Sequence, residues 1–266
     1  MKRGYVDGRY GQVHYWEHGA SGTLPDLYCL HATAYSGQTL LPLLERLGRD
    51  RRVIALDTPG YGGSDAPPAP IPFEAYGLAI AEAIRAARGA ASAPVDLFGY
   101  HTGALLATEV AAADAALVAR LVLIGVPFFS AEENAAWRDK LVHKSVLTES
   151  FDQFRARWDY FITNRTPGLP LRRAFDCFVD ELRVYPRDWW AHGALMDYRA
   201  DLRLPLASAP ALVINPRGSL EQQSRNAARA MPRCTLVELP QVGGAPFDLA
   251  PDALADAMRE FLTATA

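Results

Sequence analysis

Six short apolar runs, separated by helical segments, constrain this chain more than any other feature: Leu27–Leu30, Val53–Leu56, Val95–Phe98, Leu121–Ile124, Leu212–Ile214 and Leu236–Leu239. Runs that are apolar at nearly every position, rather than at alternate ones, belong to strands buried on both faces, the condition of a parallel sheet covered by helices. The intervening segments Thr39–Leu47, Phe73–Arg88, Gly103–Ala113, Leu220–Ala230 and Pro251–Leu262 carry the helical spacing. Val6 and Gln12–Glu17 read as a pair of N-terminal strands. Strand and helix in alternation predict an α/β fold wound from βαβ units. Residues 128–206 break that rhythm, being helical and aromatic with no clear strand. They read as a helical cap insertion, with 1–127 and 207–266 forming the core domain.

Charge narrows the partners. With 21% charged residues and a formal net charge of -3, the chain lacks the basic balance that nucleic acid or an anionic membrane surface favours. Three scattered cysteines, Cys29, Cys177 and Cys234, suit neither a disulfide framework nor a metal cluster. Met1–Tyr5 has charge but no apolar stretch behind it, and no run approaches the length of a membrane helix. The expectation is a cytoplasmic, cofactor-independent protein, monomer or homodimer, whose partner is a small-molecule substrate. The proline-dense Ala66–Pro72 reads as a stiff loop ahead of a helix.

Four local patterns then occur in register with these strands. Leu30-His31-Ala32-Thr33 follows the first buried run, and Asp57-Thr58-Pro59-Gly60-Tyr61-Gly62-Gly63-Ser64-Asp65 follows the second. Gly99-Tyr100-His101-Thr102-Gly103 lies between the third run and a helix, and Leu239-Pro240-Gln241-Val242-Gly243-Gly244 ends the last run. Together they resemble the α/β-hydrolase superfamily. The resemblance implies the α/β-hydrolase fold, a mostly parallel sheet flanked by helices, with a nucleophile elbow at Gly99–Gly103.

At that elbow the family's serine is replaced by His101. A residue at such a strand-to-helix turn is forced into an unfavourable backbone conformation that aims its side chain over the sheet, and histidine is among the few non-glycine types that tolerate positive φ. The resemblance places the family's acid at Ser219, with Glu221 the nearest carboxylate, and its catalytic histidine at Gly244. All three members of a serine triad are therefore missing from their aligned places. An oxyanion hole survives in expectation, from the backbone N–H groups of Thr33 and Thr102, with Ala32 and Tyr100 beside them.

His101 and His31 are the candidate catalytic residues. His101 could activate water against an ester or lactone, form an acyl-imidazole, or abstract a proton beside a carbonyl in lyase, isomerase or cyclase chemistry. Proton transfer ranks above covalent catalysis because no second base is visible. The family's counterpart of His31 is usually structural. A hydrolase with a migrated triad needs a carboxylate within reach of His31 or His101. The alternative from another class is a catalytically silent ligand-binding protein on the same scaffold. Asp57 reads as a loop-organising acid, His14 and His18 receive no role, and His143 and His192 lie in the insertion, where His192, after Trp189-Trp190, could reach the pocket but reads first as a cap-packing residue. The aromatic segment 128–206, with Phe128 and Trp190 as candidate substrate contacts, points to an apolar or aromatic carbonyl compound. Its arginines, Arg155, Arg157 and Arg173 among them, read mostly as a solvated face, one of which could clamp a substrate carboxylate.

Overall fold

The computed structural model describes residues 1–264. Eight strands form one sheet: β1 (Lys2–Gly8), β2 (Gly11–His18), β3 (Leu27–Leu30), β4 (Val53–Leu56), β5 (Val95–Tyr100), β6 (Val118–Ile124), β7 (Ala211–Pro216) and β8 (Cys234–Leu239). Their order is β1-β2-β4-β3-β5-β6-β7-β8, antiparallel from β1 to β4 and parallel from there on. The core helices are α1 (Leu41–Leu47), α2 (Phe73–Arg88) and α3 (Thr102–Ala113). Between β6 and β7 come α4 (Ala131–Leu141), α5 (Asp152–Trp158), α6 (Leu171–Val184), α7 (Trp190–Asp197) and α8 (Ala200–Arg203), and then α9 (Glu221–Ala230), α10 (Pro246–Leu249) and α11 (Pro251–Thr263). Among the described residues no helix is long and apolar enough to cross a membrane.

The continuous apolar runs have a direct physical cause. Along β3, Tyr28 and Leu30 face one core with α2 and α3, while Leu27 and Cys29 face the other with α1 and α11. Successive strand residues point to opposite faces, so two covered faces demand apolar residues at every position. β8 departs from that expectation. It pairs only with β7, its exposure alternates, and Leu236 is 38% exposed, because an edge strand has one partner and incomplete helix cover.

One buried ion pair ties the lower edge of the sheet together. Arg51, just before β4, donates to Asp96 in β5 and reaches the carbonyl oxygens of Pro25 and Leu262. Burial lifts the Asp96 carboxyl to about 6 while the Arg51 guanidinium pulls the other way. Removing one partner leaves an uncompensated buried charge, so Asp96→Ala is expected to cost about 3–5 kcal/mol. Urea denaturation measures it, and a loss of under about 1 kcal/mol, the range of a surface pair, contradicts the burial argument.

Candidate active site

The loop joining β5 to α3 holds His101 at φ 51, ψ -116, directly before the first turn of α3. The His101 N–H donates to the Ile124 carbonyl at 3.0 Å, and its own carbonyl accepts from Ala104 at 2.8 Å, so both backbone groups are anchored. The flanking glycines are required by close approach: a Cβ at Gly103 would lie 2.2 Å from the Leu30 carbonyl oxygen. The strained turn expected from the sequence is present, with an imidazole at its apex.

That imidazole lies beside the Tyr100 ring, centroids 4.0 Å apart, and over the backbone of Gly125 at the end of β6. It opens into a cavity of about 350 Å³, whose walls include Ala32, Thr33, Tyr100, Thr102 and Ser219. Thr102 is the first residue of α3, so its N–H is one of the helix's unsatisfied donors and stands at the positive end of its dipole. Among the described residues neither the Thr33 nor the Thr102 N–H donates to a protein acceptor. The remaining wall is mainly apolar, from Pro127, Phe129, Trp137, Leu195 and Met196, and among the described residues no Asp, Glu, Lys or Arg lines it.

His31 is used differently. Its Nε2 accepts the Thr58 N–H at 3.0 Å, which places the ring proton on Nδ1, and Nδ1–H donates to the Ala32 carbonyl at 2.9 Å. Both nitrogens are committed to backbone, and burial holds the ring's pKa below its ordinary value despite the nearby Asp57. The geometry therefore makes His31 a brace for the loop carrying Ala32 and Thr33. Asp57 organises the adjoining turn: it accepts the Gly37 N–H at 2.7 Å, the Gly63 N–H at 2.8 Å and His14 Nδ1–H at 2.8 Å.

The aromatic contacts shift by one residue or one face from those anticipated. Phe129 lines the cavity, stacked on Trp137 at 5.5 Å, whereas Phe128 lines only the neighbouring cleft beside Leu105 and Tyr198, which Phe129 borders as well. Trp190 lies with Trp189 against Pro70–Phe73 and away from His101. The helix that carries Trp190 instead delivers His192 into the His101 cavity, the less expected of its two sequence readings. Burial, and secondarily the neighbouring His192, lowers His101 to about 4. Burial likewise lowers His192 to about 4, with Asp188 pulling upward. Both rings are neutral at physiological pH. Neither is hydrogen-bonded by a carboxylate among the described residues, so a migrated triad finds no support in the contacts of His101 or His31.

The aligned triad positions are also physically altered. Ser219 faces the His101 cavity, but Gly244 lines a neighbouring one of about 270 Å³. A Cβ at Gly244 would lie 2.9 Å from Thr166 Oγ1, so a side chain there meets the β6–β7 helical segment. That segment is tied to the strand loops by Ser36 Oγ–H donating to Asp180 at 2.6 Å and by the Ala191 N–H donating to the Tyr61 hydroxyl at 3.0 Å. Arg173 adds an ion pair with Asp248, and Arg157 pairs with Glu181 and Asp188, so these two arginines are structural, while Arg155 is exposed. Among the described residues no group of three His, Cys, Asp or Glu is placed to hold a metal ion.

Comparison with known proteins bears on the family and the fold. The model of the alpha/beta hydrolase family matches residues 18–257. No curated protein matches the sequence. Among solved structures, a hydrolase from Pseudomonas aeruginosa PA01 is similar with TM-score 0.80 and 20% identity, over 99% of this chain and 99% of that one. An esterase from Rhodococcus sp. ECU1013 gives 0.79 and 22% over 100% of both chains. The enol-lactonase from Burkholderia xenovorans LB400 gives 0.69 and 19%, over 98% of this chain and 100% of that one. At these identities the likeness carries the fold alone.

Proposed function

This chain belongs to the alpha/beta hydrolase family, and from that premise we propose that it hydrolyses a small, uncharged ester or lactone with apolar or aromatic substituents, using His101 as general base and no serine triad. One observation carries the reading: a neutral imidazole held at the elbow apex lines the same cavity as Thr33 and Thr102, whose N–H groups have no protein acceptor among the described residues. We read 128–206 as a cap that shapes the cavity and excludes charge from it, which suits an uncharged substrate.

The carbonyl oxygen would lie between the two N–H groups. A water beside the imidazole loses a proton to His101 as it attacks, and the carbonyl π pair moves onto oxygen. Each backbone donor aimed at that developing charge is worth about 3 kcal/mol. A base as weak as buried His101 is suited to this moment. Opposite charges 4 Å apart at an effective dielectric near 20 attract by about 4 kcal/mol, or about three pKa units, so the oxyanion itself strengthens the base. On collapse, His101 returns the proton to the leaving oxygen. His31, Asp57 and Ala32 are supporting groups, and Tyr100 fixes the plane of the imidazole.

The test is turnover of activated esters and lactones by wild type and His101→Ala, both checked for folding by circular dichroism. The variant is expected to lose roughly 10²–10⁴-fold in kcat/KM. Absence of turnover by the wild type retires the hydrolase reading in favour of ligand binding. The pH profile gives a second check with a definite sign. The base must be unprotonated, and burial puts its pKa at about 4, so kcat/KM stays flat from pH 8 down to about 5 and falls only below that. A half-maximal point near 6.5, the unperturbed imidazole value, shows that the acting base is not His101 in this environment.

A further inference from the structure

His192 reaches the His101 cavity from the opposite polypeptide segment. It is the third residue of α7, whose first turn is pinned by the Ala191 N–H on the Tyr61 hydroxyl. Leu195 and Met196 from the same helix complete the adjoining wall, so the ring is carried on a packed element and not on a loose loop. Both imidazoles sit deep in the molecule yet keep part of their surface open to the cavity. His192 acts electrostatically on His101, and neither ring has a hydrogen-bond partner among the described residues. Each ring therefore keeps hydrogen-bonding capacity free for whatever occupies the cavity.

The other titratable groups around it are accounted for. Asp188, one turn earlier, is taken by Arg157 and by Ser145 Oγ–H at 3.0 Å, and acts on His192 through space. Tyr35 and Tyr160 share the cavity wall. Beyond them a neighbouring cleft, of which His192 is also a wall, carries Lys140, His143, Arg157 and Glu181.

We propose that His192 is a second catalytic group of this site: its unprotonated ring nitrogen accepts one hydrogen of the attacking water, holding that water between the cap and His101 at the elbow. This rests on the hydrolase reading and gives it a geometry. One water O–H points to His192 and the other to His101, which leaves an oxygen lone pair for the carbonyl carbon. As the C–O bond forms, the proton passes to His101 alone, and His192 keeps its hydrogen bond to the hydroxyl of the tetrahedral intermediate. Collapse reforms C=O and breaks the bond to the leaving oxygen, which takes the proton back from His101. The pair carries one proton at a time, because two imidazolium ions facing one cavity repel. The loop after β8, which presents Gly244, is then relieved of supplying a histidine.

The experiment compares His192→Leu and His192→Gln with wild type on phenyl acetate and δ-valerolactone. Loss of water positioning is expected to lower kcat about 10²-fold in the leucine variant with little change in KM. Glutamine, whose carbonyl oxygen can still accept from water, retains more. The acid limb of the profile also moves upward in both, since a like-charged neighbour of His101 is gone. A packing residue gives the reverse order, with leucine the better substitute, and that result overturns the proposal. Should both variants misfold, wild type with labelled histidines is titrated by NMR with an apolar trifluoromethyl ketone, whose hydrate mimics the intermediate. Both imidazole signals are expected to shift, and a shift of His101 alone overturns the proposal. The two failures differ: wild-type inactivity removes the hydrolase reading, an active His101→Ala removes its His101 base, and either removes this inference with it. An active wild type whose activity both His192 variants match removes this inference only.

Discussion

Gly125→Ala is expected to lower kcat/KM about as far as His101→Ala, roughly 10²-fold or more, although it adds a single methyl group. Gly125 has φ +61, and a Cβ there would lie 2.5 Å from His101 Cδ2 and 2.8 Å from Nε2. Alanine therefore carries two costs. The left-handed backbone region costs an L-residue about 1–2 kcal/mol, and the methyl must displace the imidazole. The ring has little freedom to yield, since Tyr100 lies beside it and the elbow fixes its backbone. A displacement of about 1 Å in a reacting group is enough for a loss of order 10². Gly89→Ala separates the two costs, because Gly89 has φ +60 and nothing within 4 Å of an added Cβ. It is expected to match the stability loss while retaining activity. Kinetics and thermal melts of both variants decide it: activity surviving in Gly125→Ala means that the ring does not act from where it lies.

Gly125 also shows where sequence reading runs out. The fold was legible because burial on both faces of a sheet leaves a pattern in consecutive residues: β3 and β4 are apolar throughout and fully buried. The elbow was legible for the same kind of reason, since Gly99, His101 and Gly103 are neighbours in sequence and their constraint is local. The rest of the site is assembled across long separations. Gly125 follows a β6 run that was read correctly, yet nothing nearby announces that its missing side chain makes room for the ring of His101. His192 and Trp190 lie two residues apart on one helix, which turns them about 200° from each other, so a helix spacing without a known facing side favoured the wrong one. Phe128 and Phe129 are adjacent and both line the cleft beside Leu105, but only Phe129 also reaches the His101 cavity. The only signal for His192 was a polar residue in an apolar helical stretch, His192 among Trp189, Trp190, Ala191, Ala194, Leu195 and Met196. Such a residue more often packs than acts, and only the shared cavity with His101 distinguishes the two.

Rebuilding the family's triad by His101→Ser, Ser219→Asp and Gly244→His is expected to leave esterase activity at the level of His101→Ser alone, forgoing the roughly 10⁶-fold that an intact triad supplies. The obstacle is steric before it is chemical. A side chain at position 244 begins 2.9 Å from Thr166 Oγ1 and 3.3 Å from Thr166 Cγ2, and a β-branched residue has few rotamers with which to retreat. Ala245, at φ 50, and Pro246 fix the backbone that follows, so the loop has little slack to swing the new imidazole clear. Gly244 and Ser219 moreover line different cavities, with the Tyr35 and Tyr100 rings forming part of both walls. Adding Thr166→Ala leaves its Cβ 3.7 Å from that of residue 244, an ordinary contact, and is expected to make the fourfold variant the first with a burst of acyl-enzyme formation on an activated ester. An equal burst in the threefold variant means that the position was open all along. Absence of a burst until Thr166 is reduced means that the helical segment between β6 and β7 has grown into the place of the missing histidine. A histidine restored at position 244 alone then could not complete a triad, because Thr166 occupies the space its side chain needs.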